Sequence, residues 1–259
     1  MNVTQVEDCC HDHNDDDGDR ISKLPDEILC LIISFLSMRE ATGTRLLSRQ
    51  WRSLCASASN LHFDLLTVCG IYCEKYYTMH SKFLKHKTSF LRGIDQFSCL
   101  YLGPRIDTFW VCFLLGYESA SHIDKWIGFA IQMGAKNIDL DLFGYKDSER
   151  YNFPCHLLPQ GERSHLKSLC VTSCLLRPSP DNANRFNSLT NLDLSGVNLE
   201  KIHLDCILSG CLNLERLKFQ NCWLPQPFRI HGSLCHLKTL INTKHLRVHW
   251  YWCPFLHLY

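Results

Sequence analysis

The chain has 259 residues, enough to bury a large core, and its 27 Lys plus Arg against 26 Asp plus Glu leave a formal net charge of +1, so no global field draws it to nucleic acid or anionic lipid. The longest apolar runs, Ile28 to Leu36 and Phe109 to Tyr117, fall far short of the roughly 20 residues of a membrane helix, so no membrane-spanning helix is expected. Sixteen cysteines behind an amino end without a basic region or an apolar stretch read as reduced thiols of a protein of the cytoplasm or nucleus, not as a secreted disulfide framework.

Residues 1–19 carry seven acids, no Lys or Arg and almost nothing apolar, a composition that cannot offset the entropy of ordering, so a disordered acidic tail is expected there. From Ile21 the pattern turns helical. Pro25 suits a first helical turn, Asp26 and Glu27 suit its positive end, and Ile28, Leu29, Ile32, Ile33 and Leu36 recur at helical spacing. A short second helix is expected over Glu40 to Leu47 and a third over Arg49 to Ala58, with Leu46, Leu47, Trp51 and Leu54 apolar. Three helices in about forty residues make a very small core, and such a unit needs a partner to bury its remaining apolar surface.

After a less regular stretch, the repeat template L-x-x-L-x-L-x-x-[N/C]-x-L fits three consecutive segments: Leu166, Leu169, Val171, Cys174, Leu176; Leu189, Leu192, Leu194, Val197, Leu199; and Leu214, Leu217, Phe219, Cys222, Leu224. Weaker copies precede them (Ala135, Ile138, Leu140) and follow them (Leu237, Leu240), and the apolar pattern fails at Asn242. The second apolar position runs 138, 169, 192, 217, 240, with steps of 31, 23, 25 and 23. The last three steps lie within the about 20 to 29 residues of a leucine-rich repeat. Three full matches in register point to a solenoid, an α+β or α/β arrangement of parallel strands with helical or irregular returns. The expected organisation is a tail at 1–19, a helical unit at 20–64, a linker with irregular first repeats at 65–134, repeats at 135–242 and an irregular aromatic tail at 243–259. That tail, rich in Trp, Tyr, Phe and Leu, is expected to stay partly exposed, because no repeat spacing resumes after Leu240.

The segment DRISKLPDEILCLIISFLSMREATGTRLLSRQWRSLCASASNLHFD resembles the F-box of the large plant group that joins an amino-terminal F-box to leucine-rich repeats. The Leu24-Pro25 pair, the acids after it, the first-helix pattern and the Leu-Ser-x-x-Trp-Arg-x-Leu segment carry the likeness. Ser37-Met38 departs from the Leu-Pro type of pair common between the first two helices. HIDKWIGFAIQMGAKNIDLDL resembles the lead-in to the repeats of this group and LSGCLNLERLKFQNC their repeat body, so the resemblance runs from about Asp19 to about Leu240. Members often continue into a carboxy-terminal domain that is not evident here.

The resemblance implies a non-catalytic subunit of a Skp-cullin-F-box ubiquitin ligase. In such a subunit the F-box binds a Skp-type adaptor, and through it a cullin, while the repeats bind a target protein. It implies an adaptor interface formed by Leu24, Pro25, Ile28, Leu29, Ile32 and Leu36, whereas Ile33, Leu47, Trp51 and Leu54 read as internal core. With Leu192 and Leu194 facing inward, Asn191, Asp193 and Ser195 must face outward, as must Arg216, Lys218 and Gln220 around Leu217 and Phe219. These six are the target-binding candidates, set against the alternative of solvated positions without a partner.

Two rival functions are an interaction protein that binds the adaptor without delivering a target, and a thiol or metal enzyme built on the Cys and His content. No C-x-x-C occurs, and no Walker loop, G-x-G-x-x-G, G-x-S-x-G or H-E-x-x-H motif is present. Cys174 and Cys222 fall on the repeat's own Asn/Cys position, where a thiol acts as a small buried hydrophobe. Cys9, Cys10, His11 and His13 have nothing to position them as ligands. The basic cluster Lys82, Lys85, Lys87 and Arg92 lacks the aromatic interleaving of a nucleic-acid surface. No catalytic residue, metal or cofactor is expected.

Overall fold

A computed structural model describes residues 21, 23–34, 40, 43–44, 47–56, 59–72, 80–101, 105–143, 149–160, 164–225, 228–230, 234–243, 248–250 and 257–258. The expected acidic tail, the second short helix apart from residues 40, 43, 44 and 47, and Leu36 lie outside them.

Helix α1 spans Asp26–Ser34 and α2 spans Arg49–Ala56. Pro25 stands just before α1: its carbonyl accepts from the Leu29 amide at 3.1 Å, and its missing N–H costs nothing there. Leu29 (0% exposed), Trp51 and Leu54 bury against one another, with Ile32 and Ile33 packed on them. Gln50 donates to Asp26 Oδ1 at 2.8 Å, tying the starts of the two helices together. Leu47, expected in this core, is instead exposed.

The remainder is built on one parallel sheet in the order β1-β2-β3-β4-β5-β6-β8-β10. Its strands are β1 (Asn60–Phe63), β2 (Thr108–Cys112), β3 (Asn137–Asp141), β4 (Ser168–Thr172), β5 (Asn191–Ser195), β6 (Arg216–Gln220), β8 (Thr239–Asn242) and β10 (His257–Leu258). A small second sheet pairs β7 (Phe228–Ile230) with β9 (Val248–Trp250). Return segments lie between the strands: α3 (Leu65–Cys69) and α4 (His80–Leu100), then α5 (Ala120–Gln132), 3-10 turns at Cys155–Leu157 and Pro180–Phe186, and α6 (Lys201–Gly210). This is the expected F-box-like helical unit followed by a leucine-rich-repeat solenoid.

Period-2 alternation fixes the register. Leu61, Phe109, Ile138, Leu169, Leu192, Leu217 and Leu240 align strand to strand in one inward row, and Phe63, Val111, Leu140, Val171, Leu194 and Phe219 form the next. All are buried in a single continuous core. Burial of each such side chain contributes about 1.5 to 3 kcal/mol. The chain enters β2, β3, β4, β5, β6 and β8 the same way: two successive amides share one carbonyl of the preceding repeat, as Thr190 and Asn191 do with Lys167, and Glu215 and Arg216 with Thr190. It leaves β4, β5 and β6 through a left-handed residue, Ser173 (φ 57°), Gly196 (φ 60°) and Asn221 (φ 52°), which drops Cys174, Val197 and Cys222 into the core.

Two features differ from the sequence reading, and the expected burial of the repeat cysteines is found. The sheet begins at β1 and β2, ahead of residue 135, and the described part of 65–134 includes α3, α4, β2 and α5. Cys174 and Cys222 do bury at the repeat position, and their thiols donate to backbone carbonyls, Cys222 to that of Leu194 at 3.1 Å. The tail at 243–259, expected to be irregular, contributes β9 to the small sheet and β10, which pairs with β8 at Thr239 and Leu240.

Candidate functional site

Two surfaces are built by these elements. The first lies on α1. Ile28 (43% exposed) and Leu31 (52%) are three residues apart and share one side of the helix, and Leu24 (36%) and Pro25 are exposed immediately before its first turn. Leu29 does not belong to this strip. It is fully buried against Trp51 and Leu54, so it supports the helix from beneath, and Ile32 is half-buried on the same core. Helical spacing says which residues share a face, not which face the neighbouring helix covers. Leu31 went unassigned for the same reason.

The second surface is the outward side of the sheet. All six predicted positions lie there, paired strand to strand: Asn191 with Arg216, Asp193 with Lys218, and Ser195 with Gln220. Lys218 Nζ lies 2.9 Å from Asp193 Oδ2, both side chains about three-quarters buried. The middle row continues through Cys170, Asp139, Trp110 and His62, and the next row through Thr172, Asp141 and Cys112. His62 and Trp110 meet edge to face with ring centroids 5.6 Å apart. Sequence reasoning left these residues out, although the alternation around Ile138 and Leu140 already places Asp139 and Asp141 outward. Trp110 was hidden because Phe109 and Val111 stand where the template has leucine.

The carboxylates on β3 are perturbed. Burial pushes Asp139 up to about 6, with Asp141 and Asp193 adding to the rise, while the Cys170 thiol and Lys218 oppose it. Burial also raises Asp141, against the Cys112 thiol, which donates to its Oδ2 at 3.7 Å. Cys112 and Cys170 are pushed well above the ordinary thiol range by burial and by these carboxylates, and burial holds Cys155 and Cys174 up to about 12. Such thiols stay protonated, the opposite of an activated nucleophile or metal ligand. Among the described residues, no group of three or more His, Cys, Asp or Glu side chains could hold a metal ion. Cys9, Cys10, His11 and His13 lie outside those residues. No helix among the described residues is long and apolar enough to cross a membrane. In the basic cluster, Lys87 pairs with Glu118, while Lys85 and Arg92 are exposed on α4.

Comparison with known proteins places both surfaces in matched regions. The F-box domain model matches residues 21–63, and a model described as At1g61320/AtMIF1, LRR domain, matches 107–249. The chain is 31% identical over 219 residues to the putative F-box/LRR-repeat protein At5g54820 of Arabidopsis thaliana, covering 79% of this chain and 43% of that protein. It is 28% identical over 225 residues to the putative F-box/LRR-repeat protein At1g56400 of the same plant, covering 83% and 44%. With F-box/LRR-repeat protein 25 of Arabidopsis thaliana the identity is 30% over 208 residues, covering 79% and 69%. The chain thus spans less than half the length of the first two relatives.

Proposed function

The chain belongs to the plant F-box/leucine-rich-repeat family, and from that premise we propose that it is a substrate-recognition subunit of a Skp-cullin-F-box ubiquitin ligase. Its α1 strip binds the Skp-type adaptor, and through it a cullin. The outward face of the sheet holds a target protein. The observation that carries this reading is the strip itself: Leu24, Pro25, Ile28 and Leu31 remain exposed beside the small described core of Leu29, Trp51 and Leu54. An apolar helix side laid into a partner's groove is a general recognition mode.

The chain performs no bond chemistry in this proposal. It tethers. With the adaptor at one end and the target at the other, a target lysine is kept at high effective concentration beside the ubiquitin carrier. Adaptor and cullin place it in the cytoplasm or nucleus, and no cofactor, nucleic acid or membrane takes part.

The test is affinity capture of the tagged chain from plant tissue with ligase activity blocked, followed by reconstituted ubiquitin transfer to whatever is captured. Adaptor and cullin are expected with the parent chain and depleted with Leu24→Ala plus Pro25→Ala. Absence of the adaptor from the parent capture would overturn the reading. Capture of adaptor and cullin without transfer to any captured protein would point to a non-delivering interaction protein.

A further inference from the structure

We infer that Ser179 is a phosphorylation site, taken by a proline-directed serine/threonine kinase with ATP as the phosphoryl donor. The inference goes beyond the ligase reading and needs neither adaptor nor target.

The sequence singles the position out. Of the nine prolines, Pro180 alone follows a Ser or Thr. Proline lacks an N–H, holds its own φ at about −65° and drives the residue before it into extended backbone. A kinase pocket that takes this ring just past the acceptor hydroxyl therefore reads a single hydroxyl of the sequence.

The fold leaves that hydroxyl within reach. Arg177, Ser179, Pro180 and Asp181 are exposed, while Pro178 among them is buried and anchors the segment. Ser179 is extended, with φ −82° and ψ 160°, and stands at the head of the 3-10 turn Pro180–Phe186. A kinase cleft takes its acceptor in extended form, so the backbone of Ser179 already has the shape required. Thr88 and Ser89 are exposed too, but they lie inside α4, which would have to unwind first. Ser179 Oγ accepts from the Asn182 side chain at 2.9 Å, and its own proton goes to no described residue. Its carbonyl accepts from the Asn182 amide at 2.9 Å and from the Cys206 thiol of α6 at 3.1 Å. These ties hold the backbone and leave the hydroxyl uncovered. Hydrogen bonds of a 3-10 turn are poorer than those of an α-helix, so Pro180 to Asn182 can lift into the cleft.

In the transfer, Ser179 Oγ bonds to the γ-phosphorus of ATP and the bond from that phosphorus to the bridging oxygen breaks. ADP leaves, and the hydroxyl proton passes to the kinase's catalytic carboxylate. The group added carries a charge of about −2. It lies on the return side of the repeat, across the core from the outward sheet face, since Phe186 and Leu204 of the flanking return segments bury in the same core as the inward rows.

The experiment incubates the purified full chain, and a synthetic peptide of residues 173–186, with a proline-directed kinase and Mg-ATP. Sites are read by peptide mass spectrometry. Ser179→Ala is made in the chain, and Pro180→Ala in both chain and peptide, so that a folding defect is told apart from a lost recognition element. The expected result is phosphate at Ser179 of the native chain at a rate within about tenfold of the peptide's. It should be lost in Ser179→Ala and form about tenfold or more slowly in both Pro180→Ala forms, which keep the hydroxyl. Phosphate on the peptide but not on the native chain would show that the fold withholds the serine and would overturn the inference. No phosphate on either, or Pro180→Ala forms modified at the parent rate, would overturn it equally.

Discussion

A β-carbon built on Gly210, at the end of α6, would stand 1.9 Å from the carbonyl oxygen of Ala183 in the 3-10 turn of the preceding repeat. The obstacle is backbone, which cannot swing aside as a side chain would. Gly210→Ala should therefore cost about 3 kcal/mol through displaced packing between the two return segments. Gly128→Ala, in α5 with nothing within 4 Å of the added carbon, should be neutral or gain up to about 1 kcal/mol from helix propensity. Chemical denaturation of both variants measures the contrast, and equal stabilities would show that the contact yields freely.

Asp139 gives the stability a definite pH dependence. Its carboxyl titrates near 6 in the folded chain because it is buried, against about 4 when unfolded. Between those values the folded state holds the extra proton, so through this group the unfolding free energy falls as pH rises from about 4 to 6, and the deficit persists above. Asp139→Asn should raise the melting temperature at pH 7 and lose that advantage towards pH 4. A variant that melts at or below the parent at pH 7 would contradict the burial argument.

Thiol reactivity should divide by position. Cys99 and Cys235 are exposed, whereas Cys112, Cys155, Cys174 and Cys211 are buried, with their titration pushed upward. Brief iodoacetamide treatment of the native chain at pH 8, read by peptide mass spectrometry, should label the first pair and spare the other four. Rapid labelling of Cys174 would mean that the repeat position is not packed as described.

Much of this molecule is legible in its sequence, because the solenoid repeats one simple rule. The marker positions 138, 169, 192, 217 and 240 fall on a single inward row, and alternation alone sets Asn191, Asp193, Ser195, Arg216, Lys218 and Gln220 outward. β1 and β2 escaped because Phe109 and Phe63 replace leucines, and because the return between Leu61 and Phe109 holds two helices and far exceeds one repeat. Leu29 was placed on the adaptor strip because periodicity does not reveal that Trp51 and Leu54 cover that side of α1. The pairing of β10 with β8 rests on two residues, too few to carry a period.

Calorimetric titration of the full chain with a Skp-type adaptor tests whether the start of α1 presents an adaptor-binding strip. One-to-one binding is expected, weakening about tenfold or more in the Leu24→Ala, Pro25→Ala double variant with an unchanged melting temperature, since both residues are exposed. Unchanged affinity in the double variant, or no binding by the parent chain, would contradict it.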